Sequence, residues 1–360
     1  MSDRTAATPP ASRNDARRGA RPTVRDVAAL AGVSIKTVSR VVNGEKTVGQ
    51  LLVDRVRAAI DELGYRPDHA ASSLRRSDGR SHTIAVVLED LANPFSAAVH
   101  RGVVDTARAR DVLVLSASSD EDPADEHNAV IAFTARRVDG VILMPSTGDH
   151  RWIRAELTAG MAIVTVDRLI DGLDAVVTDN RAAAARATMH LARRGHRRIG
   201  FLGDLHHIYT AGERLLGYRD ALRDAAGEDD EALVRQDLRG SAQAEEATIE
   251  LLTTSEPPTA LFTGQNLLTI GAVRALRKLG LHHEVALVGF DDVELGDLLA
   301  PGLTALAQDP AEIGRRAAAQ LFARIDGADT APLVQVVPAR LLPRGSGEIP
   351  PRGADPKVKR

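Results

Sequence analysis

Apolar residues recur at helical spacing in three short segments near the start of the chain. In "TVRDVAALAG", residues 23–32, a Thr followed three positions later by an Asp forms a capping box, and Gly32 ends the helix. A second helix is predicted over 35–42, where Ser34 can cap it, and a third over about 50–63. These segments predict a small all-α domain.

After His82 the pattern changes to short, wholly apolar runs that alternate with helix-length segments. Runs of this kind are typical of strands buried on both faces in doubly wound α/β layers with parallel sheets. The segment is long enough for two such lobes. The apolar runs cover 83–88, 111–117, 139–145, 161–167, 197–203, 259–264 and 284–292, and the helical segments include 97–110 and 181–194.

Composition narrows the function classes without naming one. The chain has no cysteine, which excludes disulfides, thiolate metal sites and cysteine nucleophiles. No apolar stretch near the N-terminus resembles a signal-peptide core, and no later run approaches the ~18 apolar residues of a membrane helix. We therefore expect a cytoplasmic protein with no membrane partner.

Charge is divided unevenly along the chain. Residues 1–80 contain 15 Lys and Arg against 9 Asp and Glu, whereas residues 81–360 contain 31 against 40. A basic head on an acidic body indicates a polyanion-binding module, and the alternative is a solvated charged tail.

The second predicted helix, in "AGVSIKTVSR" (31–40), carries valines on one side and cations and hydroxyls on the other. A helix of this kind, packed across a glycine turn from another, is what a helix-turn-helix places in the major groove. Arg40 suits a bidentate contact to guanine, and Thr37 and Ser39 suit phosphate oxygens. The alternative is the solvated face of an ordinary three-helix bundle.

The segment "TVRDVAALAGVSIKTVSRVVNG…VDRVRAAIDELGYRPDHAASSLRR" closely resembles the head of the LacI/GalR family of bacterial transcriptional regulators, the lactose-repressor and purine-repressor type. The resemblance extends over about residues 22–342. It continues through "NPF" (93–95), "RRVDGVIL" (136–143), "VDR" (166–168), "TDN" (178–180), "RRGHRRIGFLG" (193–203), "ERLLGYRDAL" (213–222), "VGFDD" (288–292) and "LTALAQDPAEIGRRAA" (303–318).

The resemblance implies specific contacts to operator DNA. Base-reading positions of the family correspond to Ile35, Lys36 and Arg40, and Leu74 corresponds to a leucine that wedges into the minor groove when the linker folds as a hinge helix. Ala71 and Arg75 lie beside that leucine in the sequence. The phosphate-contacting positions correspond to Thr23, Ser34, Thr37, Ser39 and Asn43.

The same resemblance implies that the body is a periplasmic-binding-protein-like sensor of type I. Ligands of such sheets lie beyond the carboxyl ends of strands. Arg214 matches the family arginine that contacts the effector, and for each candidate taken singly an inter-lobe salt bridge or helix cap is the alternative. The predicted effector-binding residues are Phe95, Asp167, Arg168, Thr210, Arg214, Gln265 and Asp291.

One departure bears on the effector. Many relatives have "AND" where this chain has "GQN" (264–266), so Gln265 and Asn266 replace an asparagine and an aspartate. The longer amide of Gln265 changes the shape of the predicted pocket, and no named sugar can be transferred from a relative.

The sequence therefore predicts an N-terminal all-α helix-turn-helix head and an α/β body of two doubly wound parallel-sheet lobes. The predicted partners are pseudo-palindromic operator DNA, a small-molecule effector of the carbohydrate class, and a second copy in a homodimer. The predicted boundaries are a disordered tail over 1–21, the head over 22–66, a hinge over 67–80, the effector and dimerisation domain over 81–342 and a disordered tail over 343–360. Within the body the N-lobe covers about 81–178 and 310–329, and the C-lobe about 179–309 and 330–342.

Three rival functions remain. An enzyme is disfavoured because no GxSxG elbow, P-loop or GxGxxG after a strand is present, and because neither histidine pair, 206–207 or 282–283, has companion ligands at metal spacing. No cofactor or metal is therefore expected. A sugar-transport binding protein is disfavoured by the head, and a DNA-binding protein without ligand sensing is the third rival.

Overall fold

The computed structural model describes residues 22–42, 45, 47–66, 79–225 and 230–351. The chain divides into two compact units, a head that ends at Ser81 and a body that begins at His82. The predictions for the 1–21 tail, for Asn43 and for the hinge residues Ala71, Leu74 and Arg75 lie outside the described residues.

The head contains the three predicted helices, α1 Val24–Ala31, α2 Ile35–Val42 and α3 Gln50–Leu63. Each helix contributes one fully buried valine, Val27, Val38 and Val56 respectively, to a common core. Burying these apolar faces supplies stability that such short helices lack in isolation. Helical periodicity in the sequence thus identified this unit correctly.

Local interactions define the start of α1 and the turn between α1 and α2. The Asp26 carboxylate accepts from both the N–H and the hydroxyl of Thr23, at 2.8 and 2.7 Å, as the capping box predicts. Gly32 ends α1 in the left-handed region at φ 62°. The hydroxyl of Ser34 accepts from the Thr37 N–H at 3.1 Å and caps α2. The turn that presents α2 is therefore determined by nearby residues.

The first lobe of the body, the N-lobe, is built on a six-stranded sheet with the order β11-β5-β4-β3-β1-β2. All of its recorded strand pairs are parallel. Its strands are β1 Thr83–Leu88, β2 Leu113–Ser118, β3 Gly140–Leu143, β4 Ala162–Val166, β5 Asp174–Thr178 and β11 Val334–Val337. Its helices are α4 Pro94–Arg108, α5 Pro123–Ala135, α6 Ile153–Thr158 and α11 Pro310–Ile325.

The second lobe, the C-lobe, has a six-stranded sheet with the order β12-β10-β9-β8-β6-β7, in which only the recorded β10–β12 pair is antiparallel. Its strands are β6 Ile199–Leu202, β7 Val234–Arg235, β8 Ala260–Thr263, β9 Ala286–Phe290, β10 Thr304–Ala307 and β12 Arg340–Leu342. Its helices are α7 Asn180–Ala192, α8 Tyr209–Asp224, α9 Ser241–Leu252 and α10 Asn266–Lys278, with short 3-10 turns at Glu231–Leu233, Gly296–Leu298 and Ser346–Glu348.

Each sheet carries a hydrophobic core on both of its faces. In the N-lobe, alternate residues of β1 enter different cores: Ile84 and Val86 pack with α4 and α11, whereas Ala85 and Val87 pack on the opposite side. The C-lobe repeats this arrangement. Burial on both faces explains why these strands are wholly apolar in the sequence, and it confirms the predicted doubly wound lobes.

Two predicted boundaries are wrong. Residues 330–337 were assigned to the C-lobe, but β11 pairs with β5 in the N-lobe because it follows α11, which packs on that same sheet. The predicted disordered tail begins too early, since residues 343–351 belong to the folded body. The Ser346 hydroxyl donates to the Leu287 carbonyl at 2.6 Å, and Glu348 accepts from the Thr304 hydroxyl at 2.8 Å.

The described ranges contain neither a membrane-spanning helix nor a cluster of metal-ligating side chains. None of the helices described has the length and apolar character needed to cross a membrane. Within the same ranges, no group of three or more His, Asp or Glu side chains is placed to hold a metal ion.

Candidate functional site: a cleft in the body and an exposed helix face in the head

The carboxyl ends of the strands of both lobes open onto one cleft of about 430 Å³. Residues from both lobes line it, as expected for ligand sites at strand ends of α/β sheets. The structure brings all seven predicted effector residues together in this cleft: Phe95, Asp167, Arg168, Thr210, Arg214, Gln265 and Asp291. The same cleft is also lined by Glu89, Asn93, Met144, Asp204, Ile208, Asn266 and Gln308.

Arg168 organises the N-lobe side of the cleft. Its side chain is buried, and its two terminal nitrogens bind both carboxylate oxygens of Glu121. One of these nitrogens also donates to the Pro145 carbonyl at 2.8 Å. Burial lowers the pKa of Arg168, but the hydrogen bonds and negative charge of Glu121 outweigh burial and raise it overall. Arg168 is thus a permanent, fixed cation.

Arg214 organises the C-lobe side. From α8 its Nε donates to Asn180 Oδ1 at 2.8 Å and its Nη1 donates to the Gly264 carbonyl at 2.7 Å. The guanidinium lies over the ring of Phe290, 3.8 Å from its centroid, in a cation–π contact. Both hydrogen-bond partners of Arg214 are neutral. Its positive charge lowers the pKa of the neighbouring cleft carboxylate Asp291.

Two cleft carboxylates have raised pKa values. Burial raises the pKa of Asp291, and Arg214 and the Gln308 hydrogen bond only partly oppose this. Burial and the neighbouring charge of Glu121 raise the pKa of Glu89 to about 7, although Arg168 acts in the opposite direction. Both shifts follow from placing several carboxylates in one partly dehydrated cleft.

The segments that cross between the lobes bond directly to the cleft. Gln308, which follows β10, donates to Asp291 Oδ1 at 2.7 Å and accepts a short hydrogen bond from the Thr178 hydroxyl. The chain crosses between the lobes after β5, after β10 and after β11. Asp179 accepts from the Ala339 N–H at 2.9 Å, which ties the segment after β5 to the segment after β11. Two hydrogen bonds thus connect Asp291 with the crossing segments after β10 and β5.

Asn266 makes a direct hydrogen bond across the cleft. Its Nδ2 donates at 3.0 Å to Oδ1 of Asn93, the residue that caps α4 of the other lobe. Its neighbour Gln265 caps α10 by accepting from the Leu267 N–H at 2.7 Å, and donates to Asp204 at 3.1 Å. The unusual "GQN" segment thus places two amides where each both donates and accepts.

Replacing Asn266 by aspartate is expected to weaken the closed arrangement of the lobes by about 0.5–1.5 kcal/mol, the usual net worth of such a bond. A carboxylate keeps the oxygen that accepts from the Leu267 N–H, but it cannot donate to Asn93. Turning the Asn93 amide to satisfy it would remove the acceptor that caps α4. Small-angle scattering at pH 7 should give a larger radius of gyration for Asn266→Asp.

The matched control for that change is Asn128→Asp, which alters charge equally at an exposed position of α5. It should scatter like the unchanged protein. Superimposable profiles for Asn266→Asp and Asn128→Asp would contradict a role for Asn266 in holding the lobes together.

Sequence reasoning missed half of the cleft, although the same rule identifies most of it. Glu89 follows β1 directly, Met144 follows β3, and Gln308 follows β10, so each lies at the carboxyl end of a strand. Asp204 lies two residues beyond β6. Polar character at a strand end identifies Glu89, Asp204 and Gln308, whereas Met144 is apolar, and Ile208 and Asn93 carry no signal beyond their position before helices.

Among the described residues, the predicted DNA contacts lie on or beside α2, apart from Thr23 at the start of α1. Lys36 is exposed and Ile35 is 44% exposed, which is a large fraction for an isoleucine. The hydroxyls of Ser34 and Thr37 lie 2.9 Å apart at the start of the helix. Arg40 pairs with Glu45 at 3.4 Å, and because both side chains are nearly half exposed this pair costs little to release.

Comparison with known proteins agrees with both units. The family model for bacterial regulatory proteins of the lacI family matches residues 23–68, and that for periplasmic binding protein-like domains matches 188–347. The HTH-type transcriptional regulator PtxS of Pseudomonas aeruginosa is 36% identical over 350 residues, which cover 92% of this chain and 97% of that protein. The chain belongs to the LacI family.

Other members of the family show similar coverage. The HTH-type transcriptional regulator CelR of Thermobifida fusca is 34% identical over 92% of this chain and 99% of its own length. The repressor CytR of Escherichia coli K12 is 30% identical over 90% of this chain and 96% of its own. This LacI-family chain is accordingly a helix-turn-helix transcriptional regulator.

Solved structures of the family share the architecture. A CelR–cellobiose complex is 32% identical with a TM-score of 0.67, covering 91% of this chain and all of that one. The lac repressor dimer bound to operator and the anti-inducer ONPF is 25% identical with a TM-score of 0.81, covering 91% and 99%. These structures confirm the predicted fold of head and body.

Proposed function

We propose that this regulator is a repressor that binds a pseudo-palindromic operator as a homodimer in the cytoplasm. A small carbohydrate effector in the cleft controls its affinity for DNA. The observation that carries the proposal is the presence, in one chain of this family, of an exposed basic helix face and a polar cleft. We assign no catalytic role and no cofactor.

Support for DNA reading comes from the composition of the α2 face. Lys36 and Arg40 suit base edges in the major groove, and the exposed Ile35 suits a thymine methyl group. The paired hydroxyls of Ser34 and Thr37 suit a phosphate oxygen. Thr23, Ser39 and Asn43 complete the proposed phosphate contacts, and Ala71, Leu74 and Arg75 the proposed minor-groove contact.

Support for a carbohydrate effector comes from the cleft. Carboxylates and guanidinium groups each make two directional hydrogen bonds, which suits vicinal hydroxyls, and Phe95 suits the apolar face of a sugar ring. A relative, CelR, has been solved with cellobiose. Effector and operator then influence each other reciprocally, because a ligand that binds one arrangement of the lobes more tightly raises the population of that arrangement and so changes the overall affinity for DNA.

The deciding experiment is selection of genomic fragments by the purified protein, followed by footprinting at fixed salt and calorimetry with a sugar panel. We expect a protected palindrome whose occupancy changes with one sugar. Equal binding to every fragment that disappears as salt rises would reduce the head to a polyanion anchor. Specific binding that no sugar alters would favour the regulator without ligand sensing.

Lys36→Ala and Arg40→Ala are each expected to weaken operator binding by roughly 1–3 kcal/mol while changing non-specific binding much less. The reason is that a base contact contributes binding free energy for one DNA sequence, whereas a phosphate contact contributes it for every sequence. Ser39→Ala, which removes a proposed phosphate contact, should weaken both kinds of binding alike. Gel-shift titrations against operator and scrambled fragments measure the ratio, and an unaltered ratio in both cation variants would refute the assignment.

A further inference from the structure

Carboxylate groups outnumber guanidinium groups in the cleft lining. The lining contains four carboxylates, Glu89, Asp167, Asp204 and Asp291, against the two guanidinium groups of Arg168 and Arg214. A cleft that bound charged and uncharged sugars alike would not need this excess of carboxylates, since neutral amides bind hydroxyls equally well.

Neither arginine is available to neutralise the excess. Arg168 is bound through both terminal nitrogens by Glu121, a further carboxylate that does not line the cleft. It approaches Glu89 only to 3.9 Å and Asp167 only to 3.6 Å. The charge of Arg214 opposes that of Asp291. Together with Glu121, which lies behind Arg168 and not in the lining, five carboxylates thus surround two guanidinium groups.

Asp204 is the carboxylate with the least compensation. Its two oxygens accept only from amides, the Leu205 N–H at 2.7 Å and the Gln265 side chain at 3.1 Å. Within the described ranges no cation forms an ion pair with it. Asp204 lies on the C-lobe, yet it contributes to the raised pKa of Glu89 on the N-lobe, so the two carboxylates face a common space.

The Nε of Arg168 has weak compensation as well. Arg168 lines the cleft and is 6% exposed, and its buried Nε has no hydrogen-bond partner in the structure; Oδ2 of Asp167 lies 3.6 Å from it. The Asp167 carboxylate is therefore held near Arg168 by charge alone and keeps its capacity to accept hydrogen bonds. A hydroxyl can accept from a guanidinium nitrogen and donate to a carboxylate at once, which an anionic oxygen cannot do.

We propose that the cleft selects a polyhydroxylated ligand that carries no anionic group, and that Glu89 and Asp204 determine this selectivity. This inference rests on the proposed effector function and narrows it to uncharged sugars, with amino sugars tolerated and sugar acids and sugar phosphates excluded. Hydroxyl groups supply the donors that the excess carboxylates require. A carboxylate or phosphate supplies none, and its charge is repelled in a partly dehydrated space.

The first test compares matched sets of ligands on the full-length protein by calorimetry at pH 8. Each set contains an uncharged sugar, its uronic acid, which keeps the sugar ring, and its amine, for example glucose, glucuronate and glucosamine. We expect the acid in every binding set to be weaker than its parent by at least about tenfold. An acid or phosphate ester that binds more tightly than its uncharged parent overturns the inference.

The Glu89→Gln and Asp204→Asn variants test which residues are responsible. Each removes one negative charge while keeping a side chain of similar shape. Each should reduce the gap in affinity between the sugar acid and its uncharged parent severalfold at pH 8. Asp105→Asn, an equal charge change on the exposed face of α4, should leave the gap unaltered. A gap that survives in both cleft variants would overturn the assignment of Glu89 and Asp204.

A second measurement needs no ligand. Because burial and neighbouring carboxylates raise the pKa of Glu89 to about 7, its ionised form destabilises the folded body. At low pH Glu89 is protonated and this destabilisation is absent, and it develops as the pH rises to the pKa of the folded state. Glu89→Gln should therefore melt at a higher temperature than the unchanged protein at pH 8 and at nearly the same temperature at pH 4.5. Asp204→Asn should move the midpoint of this pH dependence downward.

These two measurements separate the failures. If no sugar of any kind binds, the proposed effector function fails, and the shift of the midpoint in Asp204→Asn still decides whether Asp204 adds negative charge to the surroundings of Glu89. Melting temperatures of Glu89→Gln that run parallel to those of the unchanged protein from pH 5 to 8 would overturn the inference by themselves.

Discussion

Replacing Gly217 by alanine is expected to destabilise the body by about 3 kcal/mol, the upper part of the range for overpacked sites. Gly217 lies in α8 where that helix touches α7. A Cβ added there would lie 2.1 Å from the carbonyl oxygen of Arg181 and 3.0 Å from the Cβ of Ala184. Because the first contact is with backbone, no side-chain rotation relieves it, and the two helices must separate.

Gly212, five residues earlier in the same helix, is the matched control. A Cβ at Gly212 meets nothing within 4 Å. Alanine there should stabilise the protein by about 0.5–1 kcal/mol, since glycine loses more conformational freedom on folding. Urea unfolding followed by circular dichroism measures both variants. A midpoint for Gly217→Ala at or above that of the unchanged protein would show that the helices do not pack as closely as described.

Arg214→Ala is expected to abolish the response to effector, with a loss of affinity of about 100-fold or more. The change removes the cation that opposes Asp291 and leaves the Asn180 and Gly264 acceptors without their donor. Truncating one partner in a buried polar network costs more than the bond itself, because the remaining groups stay desolvated. Calorimetry with the sugar that the panel identifies measures the loss.

The head supplies an internal readout for this variant. It is a separate compact unit, so operator binding in the absence of effector should persist in Arg214→Ala. Arg274→Ala, an exposed arginine of α10, should retain both effector and operator binding. Unchanged effector affinity in Arg214→Ala would remove this arginine from the proposed site, whereas loss of operator binding as well would indicate general unfolding.

Sequence-based prediction succeeded where the signals are local. The bounds of α2 and α3 follow from helical periodicity and from caps within a few residues, such as Ser34 at the start of α2 and Gly64 at the end of α3. The strand β1 matches its apolar run. The predicted start of α4 at residue 97 was three residues late, because Asn93 caps the helix and Pro94 occupies its first position.

Prediction failed where pairing over long distances decides the element. The strand β11 is only four residues long, and although three of them are valines, three of the four residues are not buried, so this short run does not indicate which sheet it joins. It is a strand because β5, more than 150 residues earlier, offers a free edge. The same applies to residues 343–351, whose polar sequence is held in place by Thr304 and Leu287.

The sequence by itself determined the class of this protein: a helix-turn-helix head with Lys36 on its exposed face, two α/β lobes, and seven residues that meet in one cleft. Capping and hydrophobic periodicity act between near neighbours, so they can be read along the chain. Only the tertiary structure decided the charge balance of the cleft and the bond between the lobes. Arg168 with Glu121, Asn266 with Asn93 and Gln308 with Thr178 are pairs separated by 47, 173 and 130 residues, and electrostatic energies depend on distances and burial that only folding creates.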